Sequence, residues 1–238
     1  MAYQMQFQTI AQRLPEFLDG ALLTIQLGST AIAAGIAVGI AGGVGRTYGS
    51  KRLDRVIGTY VEIIRNTPLL VQLFLVFFGL PLIGIKVSAN TAALVGLVVN
   101  LGAYATEIFR AGFQAIPPTQ LQAGIALAMS PWQIFRHIVF FPALKIVFPA
   151  LVGQVTLTFL STSIVSAISA VELTSVANTI ESQTFRSLET YIVVTVMYVV
   201  ITLLFRLFCW ILGQFLFGRI RDYRVARRQA AIAMEAVR

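Results

Sequence analysis

Five apolar blocks, set apart by short polar or charged stretches, organise this chain. They cover about 21–44, 56–85, 91–110, 146–171 and 190–206, and a helix needs roughly 20 predominantly apolar residues to cross a bilayer. The pattern predicts an all-α integral membrane protein with about five transmembrane helices over 21–218. A segment, 1–20, precedes them and a basic tail, 219–238, comes after. One stretch, 116–133 between the third and fourth blocks, is too short and too mixed to cross and has to dock against something.

The blocks differ in what they carry. The first is uncharged and holds Gly28, Gly35, Gly39, Gly42 and Gly43; small residues spaced this way let helices approach closely in lipid. The second is charge-free only from Thr67 onward. Glu62 and Arg65 stand three residues apart and are expected to pair at the interface, and Pro68 is expected to kink or restart the helix. Asn66 and Thr67 beside it are candidate lining for a polar route. On the third block Asn100, Tyr104 and Glu107 share a face, and Glu107 with Arg110 repeats the ion-pair spacing.

The fourth block, 146–171, is the longest without charge. Gln154, Thr158, Thr162 and Ser166 recur every fourth residue, flanked by Ser161 and Ser169. Two readings stay open: hydroxyls bonded back to their own helix, or a surface facing a weakly polar path. After the acidic connection from Glu172 to Glu189, the run from Tyr191 to Gly218 is interrupted only by Arg206, so it is expected to cross to about Arg206 and continue along the interface.

The stretch 116–133 reads as two short helices end to end. Thr119 is placed to cap the first with Gln122 as its capping-box partner, and Ser130 the second, with Pro131 at the first helical position and Gln133 as partner. Leu121, Ile125, Ala128 and Met129 fall on one narrow apolar stripe.

Composition narrows the function. With 57% hydrophobic residues, 12% charged and a mean hydropathy of +0.81, the chain is a membrane protein, and its net charge of +8 is concentrated between and after the apolar blocks. Arg46, Lys51, Arg52 and Arg55, and then Arg219, Arg221, Arg224, Arg227 and Arg228, obey the positive-inside rule, with no aromatic surface for nucleic acid. The bias puts the N-terminus outside and the stretch 116–133 in the cytosol. Met1 to Gly20 has no basic region with a cleavage site and is not read as a cleaved leader. A single cysteine, Cys209, and a single histidine, His137, exclude an intrachain disulfide and leave no catalytic or metal constellation to assemble.

With these stretches in place, the chain resembles the permeases of ATP-binding-cassette importers, in their polar-amino-acid, histidine/glutamine-type branch. The family's coupling pattern is Glu-Ala-Ala, then Gly, then Ile-x-Leu-Pro. Here Ala123 and Ile138 match, Gln122, Gly124 and Ala128 stand for Glu, Ala and Gly, and Pro142 comes one residue late. The branch is also similar in Ser130-Pro131-Trp132-Gln133, in the run from Tyr60 to Gln72 through Arg65-Asn66-Thr67-Pro68, in Gly102 to Arg110, in Ile116-Pro117 and in Glu172-Leu173-Thr174. The resemblance spans about Ala21 to Leu216. Where the family carries Lys-Asp before Thr-Ser, this chain has Leu160-Ser161 before Thr162-Ser163.

The resemblance implies the type I importer permease fold and translocation of polar amino acids in the bacterial inner membrane. It implies an ATPase dimer in the cytosol, a second permease subunit, identical or different, and a periplasmic substrate-binding protein. No cofactor is expected on this chain, ATP and Mg2+ belonging to the ATPase. Thr119, Leu121, Gln122, Ala123, Gly124, Ile125, Ala128 and Met129 are the expected ATPase-coupling residues. Asn66, Thr67, Asn100, Tyr104, Gln154, Thr158, Thr162 and Ser163 are the candidate substrate path. The competing functions are an ion-gradient-driven secondary transporter, against which few embedded carboxylates and no visible internal repeat weigh, and an assembly subunit without a pathway.

Overall fold

The computed structural model describes residues 5–235, with side chains described for 5–218. Among these every regular element is helical. The chain divides into two compact units between Thr202 and Leu203, and the first holds the functional geometry. Four helices are long and apolar enough to cross a membrane, and a bent pair makes up to five.

The first long helix runs Leu14–Tyr48, so residues 14–20 already belong to it, and a short helix, Phe7–Ala11, precedes it. Its glycines explain how it packs. A Cβ built on Gly39 would overlap the Cβ of Ala105, and one on Gly35 would lie 2.8 Å from Leu101. The backbone therefore lies directly against the helix Ala89–Gln114, with dispersion contact along the whole seam. This pair forms the centre of the first unit, and Leu97, Leu101, Ala103, Ala105 and Phe109 are buried along it.

The second block is not one helix. Lys51–Arg65 and Leu69–Leu82 meet at 108°, and the break expected at Pro68 is present. Ser50 caps the first of these, its hydroxyl accepting from the Leu53 N–H. Pro68 is extended (ψ 140°) and has no N–H to continue the ladder. Gln72, 6% exposed, closes the gap: its Nε2 donates to the carbonyl of Ile64 (2.8 Å) and to that of Thr67 (3.0 Å), and its Oε1 accepts from Asn100 (3.0 Å). The break is thus hydrogen-bonded internally and tied to the third span.

The fourth apolar helix begins earlier than its hydropathy indicates. A candidate span runs Pro131–Ile168, with a π-helical turn at Ile134–Phe140, an α-helix at Phe141–Leu160 and a 3-10 turn at Ser161–Ile168. Between it and the last helix, Ser187–Glu235, lies Leu173–Thr184. Its cap is Glu172, fully buried: Oε1 accepts from the Ser175 N–H (2.8 Å) and Oε2 from the Tyr198 hydroxyl (2.7 Å). Thr24 of the first helix accepts the Leu173 N–H at 3.0 Å, which anchors this cap to the core. Burial pushes the Glu172 carboxyl above its ordinary value, with these hydrogen bonds opposing. The backbone stays helical to Glu235, so the region 219–235, read as a tail, continues the last helix.

Candidate functional site

Two places in the first unit carry functional geometry. One is the turn between the third and fourth spans, where Ile116 is buried, Pro117 is extended and the helix Pro118–Ala126 starts with Pro118 at its first position. Thr119 therefore does not cap it: the two prolines set the start, Pro117 has no hydroxyl to offer, and Thr119 lies inside the first turn. The C-terminus closes as a Schellman motif. The Met129 N–H donates to the Gly124 carbonyl (3.1 Å) and the Ala128 N–H to that of Ile125 (2.9 Å). Ala128 takes the left-handed conformation this demands, φ 53°. The second cap holds as expected, Ser130 and Gln133 forming a complete capping box.

The expected stripe divides between two faces. Gly124 is buried, and a Cβ there would sit 2.6 Å from Ile138 and 3.1 Å from Ile134; Leu121 is half-buried on that side. Ile125, Leu127 and Trp132 point outward, 66%, 76% and 66% exposed, and Gln122, Ala123 and Ala128 are exposed with them while Met129 is half-buried. An i, i+4 reading missed this because the left-handed residue ends the helix before Ala128 and Met129 can continue its stripe. The turn is anchored through Phe135, whose ring packs on Trp132, Tyr48, Phe113 and Phe140 with centroids 5.9–6.1 Å apart.

The other place is a cavity of about 550 Å3 at the Pro68 break, lined by Arg65, Asn66, Thr67, Pro68, Leu69, Asn100, Tyr104, Gln154, Leu157 and Ser161. Of the candidate path residues it brings together Asn66, Thr67, Asn100, Tyr104 and Gln154. Thr158 and Thr162 are instead buried, and Ser163 is not on the cavity wall. The hydroxyls bond back to their own helix: Thr158 to Gln154 (3.1 Å), Ser161 to Leu157 (2.8 Å), Thr162 to Phe159 (2.7 Å) and Ser163 to Leu160 (2.9 Å). Arg65 and Gln72 escaped the sequence reading as site residues. The signal available for them was their place in the run around Pro68.

The expected Glu62–Arg65 pair does not form. The Arg65 guanidinium lies 5.4 Å over the Tyr104 ring centroid, and Glu62 accepts from Asn66 Nδ2 at 3.2 Å. The Glu107–Arg110 pair does form, at 2.7 Å, and Arg46 reaches both Glu107 and Asp54. This network ties the first helix, Lys51–Arg65 and the third span together. Among the described residues no three His, Cys, Asp or Glu side chains gather as a metal site.

A multi-span helical unit with a capped, apolar-tipped turn between two spans and a cavity between its helices that several polar side chains reach is the architecture of a membrane transport component. The chain belongs to the family of inner membrane components of binding-protein-dependent transport systems, whose model matches residues 31–218. It is 32% identical over 202 residues to the glutamine transport system permease protein GlnP of Escherichia coli K12, covering 84% of this chain and 92% of that protein. It is 34% identical over 208 residues to the nopaline transport system permease protein NocM of Agrobacterium fabrum, covering 83% and 86%. Its fold matches a crystal structure of an amino acid ABC transporter with histidines, with a TM-score of 0.81 and 33% identity over 89% of this chain and 99% of that one. The inward-facing methionine transporter MetNI has the same fold at 18% identity, TM-score 0.73.

Proposed function

We propose that the chain is the membrane-spanning half of an importer that carries polar amino acids from a periplasmic binding protein across the bacterial inner membrane, driven by ATP hydrolysis on a separate ATPase pair that holds the nucleotide and its Mg2+. The names of its relatives support the substrate class, and the family supports the partners. A second permease subunit, a copy of this chain or a related one, completes the pathway. The N-terminus faces the periplasm and the turn 116–133 the cytosol, in keeping with the basic loops.

The observation that carries this reading is the outward set Ile125, Leu127 and Trp132 on a turn closed by a Schellman motif at one side and a capping box at the other. Large apolar side chains on a rigid turn fit a groove on a soluble partner. Phe135 then joins that turn to Tyr48 and Phe113 of the first and third spans, so that movement of the partner reaches the helices around the cavity.

The test is uptake into vesicles holding the permease with its ATPase and binding protein. Ile125→Asp is expected to abolish ATP-driven amino acid uptake while the complex still inserts. Normal uptake and normal stimulated ATP hydrolysis in that variant would overturn the docking assignment. Uptake by the unaltered complex that persists without ATP but collapses with the ion gradient would overturn the importer reading itself.

A further inference from the structure

Among the described residues Arg65 is the one formally charged side chain on the cavity wall. One helical turn before it, Glu62 could have neutralised it, yet that carboxylate faces Asn66. Glu107, on the neighbouring span, is engaged by Arg46 and Arg110. Among the described residues no carboxylate lies within ion-pair distance of Arg65, although Glu107 feels its charge from farther off, and its guanidinium is held over Tyr104. A guanidinium placed on a ring face keeps its N–H edges free for planar, bidentate recognition of a carboxylate. The rest of the polar wall is neutral. The Gln154 amide, unbonded among the described residues, and the Tyr104 hydroxyl can accept from an ammonium group.

We propose that the cavity at the Pro68 break reads the carboxylate of its cargo on Arg65, and so passes neutral and acidic amino acids while disfavouring those with a cationic side chain. The proposal rests on the amino acid permease reading above. Its physical content is one of sign. A zwitterion offers Arg65 a carboxylate and leaves one ammonium for neutral oxygens, and an acidic side chain adds a second anion to an electropositive wall. A guanidinium or ammonium side chain instead brings a second cation into a cavity that contributes no carboxylate to receive it.

Ser161 sits on the same wall and reports the local potential once replaced by cysteine. In the complete permease–ATPase complex with Cys209→Ala, Ser161→Cys is modified with an anionic and with a cationic methanethiosulfonate of similar size. The anionic reagent is expected to react faster, and Arg65→Gln to lower the anionic-to-cationic rate ratio roughly three- to tenfold. Arg65→Lys, which keeps the charge, should preserve the ratio. L-glutamate and L-glutamine are expected to slow modification and L-arginine not to do so. A ratio indifferent to Arg65→Gln, or protection by L-arginine equal to that by L-glutamate, overturns the proposal. Because labelling is read without ATP, it stands apart from the uptake assay that tests the importer reading. A failure of one is therefore distinguishable from a failure of the other.

Discussion

The side-chain amide of Gln72 donates to the main-chain carbonyl of Ile64 at 2.8 Å, across the bend of 108° that Pro68 imposes. A side chain here substitutes for the backbone donor that proline lacks. Gln72→Leu keeps similar bulk and takes from the Thr67 carbonyl and the Asn100 amide the partner that Gln72 supplies, leaving the Ile64 carbonyl with only its longer bonds from Thr67. It is expected to destabilise the protein by about 1–3 kcal/mol and to lower the melting temperature in detergent. An unchanged melting temperature would mean that water or a neighbour satisfies the bend instead.

Ala128 adopts a conformation that glycine accepts more readily, φ 53°. Ala128→Gly is expected to relieve about 1 kcal/mol of backbone strain at the helix end, partly offset by the greater freedom of the unfolded chain. Slower amide exchange at Ala128 and Met129 would register the gain, and Ala128→Val should speed it.

Gly39 meets Ala105 at a separation no side chain can enter. Gly39→Val is expected to push the first and third spans apart at a cost of at least about 1–3 kcal/mol, read as loss of folded yield from detergent. Gly153 supplies the control, since a Cβ added there meets nothing within 4 Å: Gly153→Ala should be neutral or mildly stabilising.

The buried Glu172 makes stability depend on pH in a defined direction. Its carboxyl is raised above the ordinary 4.5, so the folded state holds its proton more tightly than the unfolded one. That contribution is fully present below the ordinary carboxylate range and is lost as pH rises through the raised value. Glu172→Gln keeps a cap acceptor for Ser175 and removes the titration. Melting curves of the wild type should therefore decline more steeply with rising pH than those of Glu172→Gln, and parallel curves would dismiss Glu172 as the source.

Phe135 joins the docking turn to two spans. Phe135→Ala is expected to lower the number of amino acids carried per ATP hydrolysed, with Phe135→Tyr restoring most of it. A variant that loses uptake and hydrolysis in the same proportion would show a merely structural role.

The sequence made some features legible because their cause is local. The glycine-lined face of the first span, the break at Pro68 and the Ser130 box each arise from residues within a turn or two of one another. The parts that escaped it depend on where a helix ends or on who competes for a side chain. Ala128 and Met129 lie on the projected stripe of Leu121 and Ile125 only if the helix continues, and a left-handed residue stops it. Glu62 and Arg65 have the spacing of an ion pair, but Tyr104 and Asn66 are better placed partners, and they come from another span and from the break itself. The repeat of Gln154, Thr158 and Thr162 is real as a pattern. Thr158 and Thr162 are nonetheless buried, Thr158 within the α-helix itself and Thr162 in the tighter 3-10 turn that starts at Ser161.

The π-helical turn at Ile134–Phe140 has a consequence of its own. Its wider winding leaves Trp132 and the core-facing Ala143 and Val147 out of step by about one residue, or about 100° of rotation, relative to an unbroken α-helix. The direction in which the docking turn faces is therefore a matter of residue count rather than of side-chain chemistry. Shortening this segment by a single position would leave every contact residue in the chain and aim the turn elsewhere.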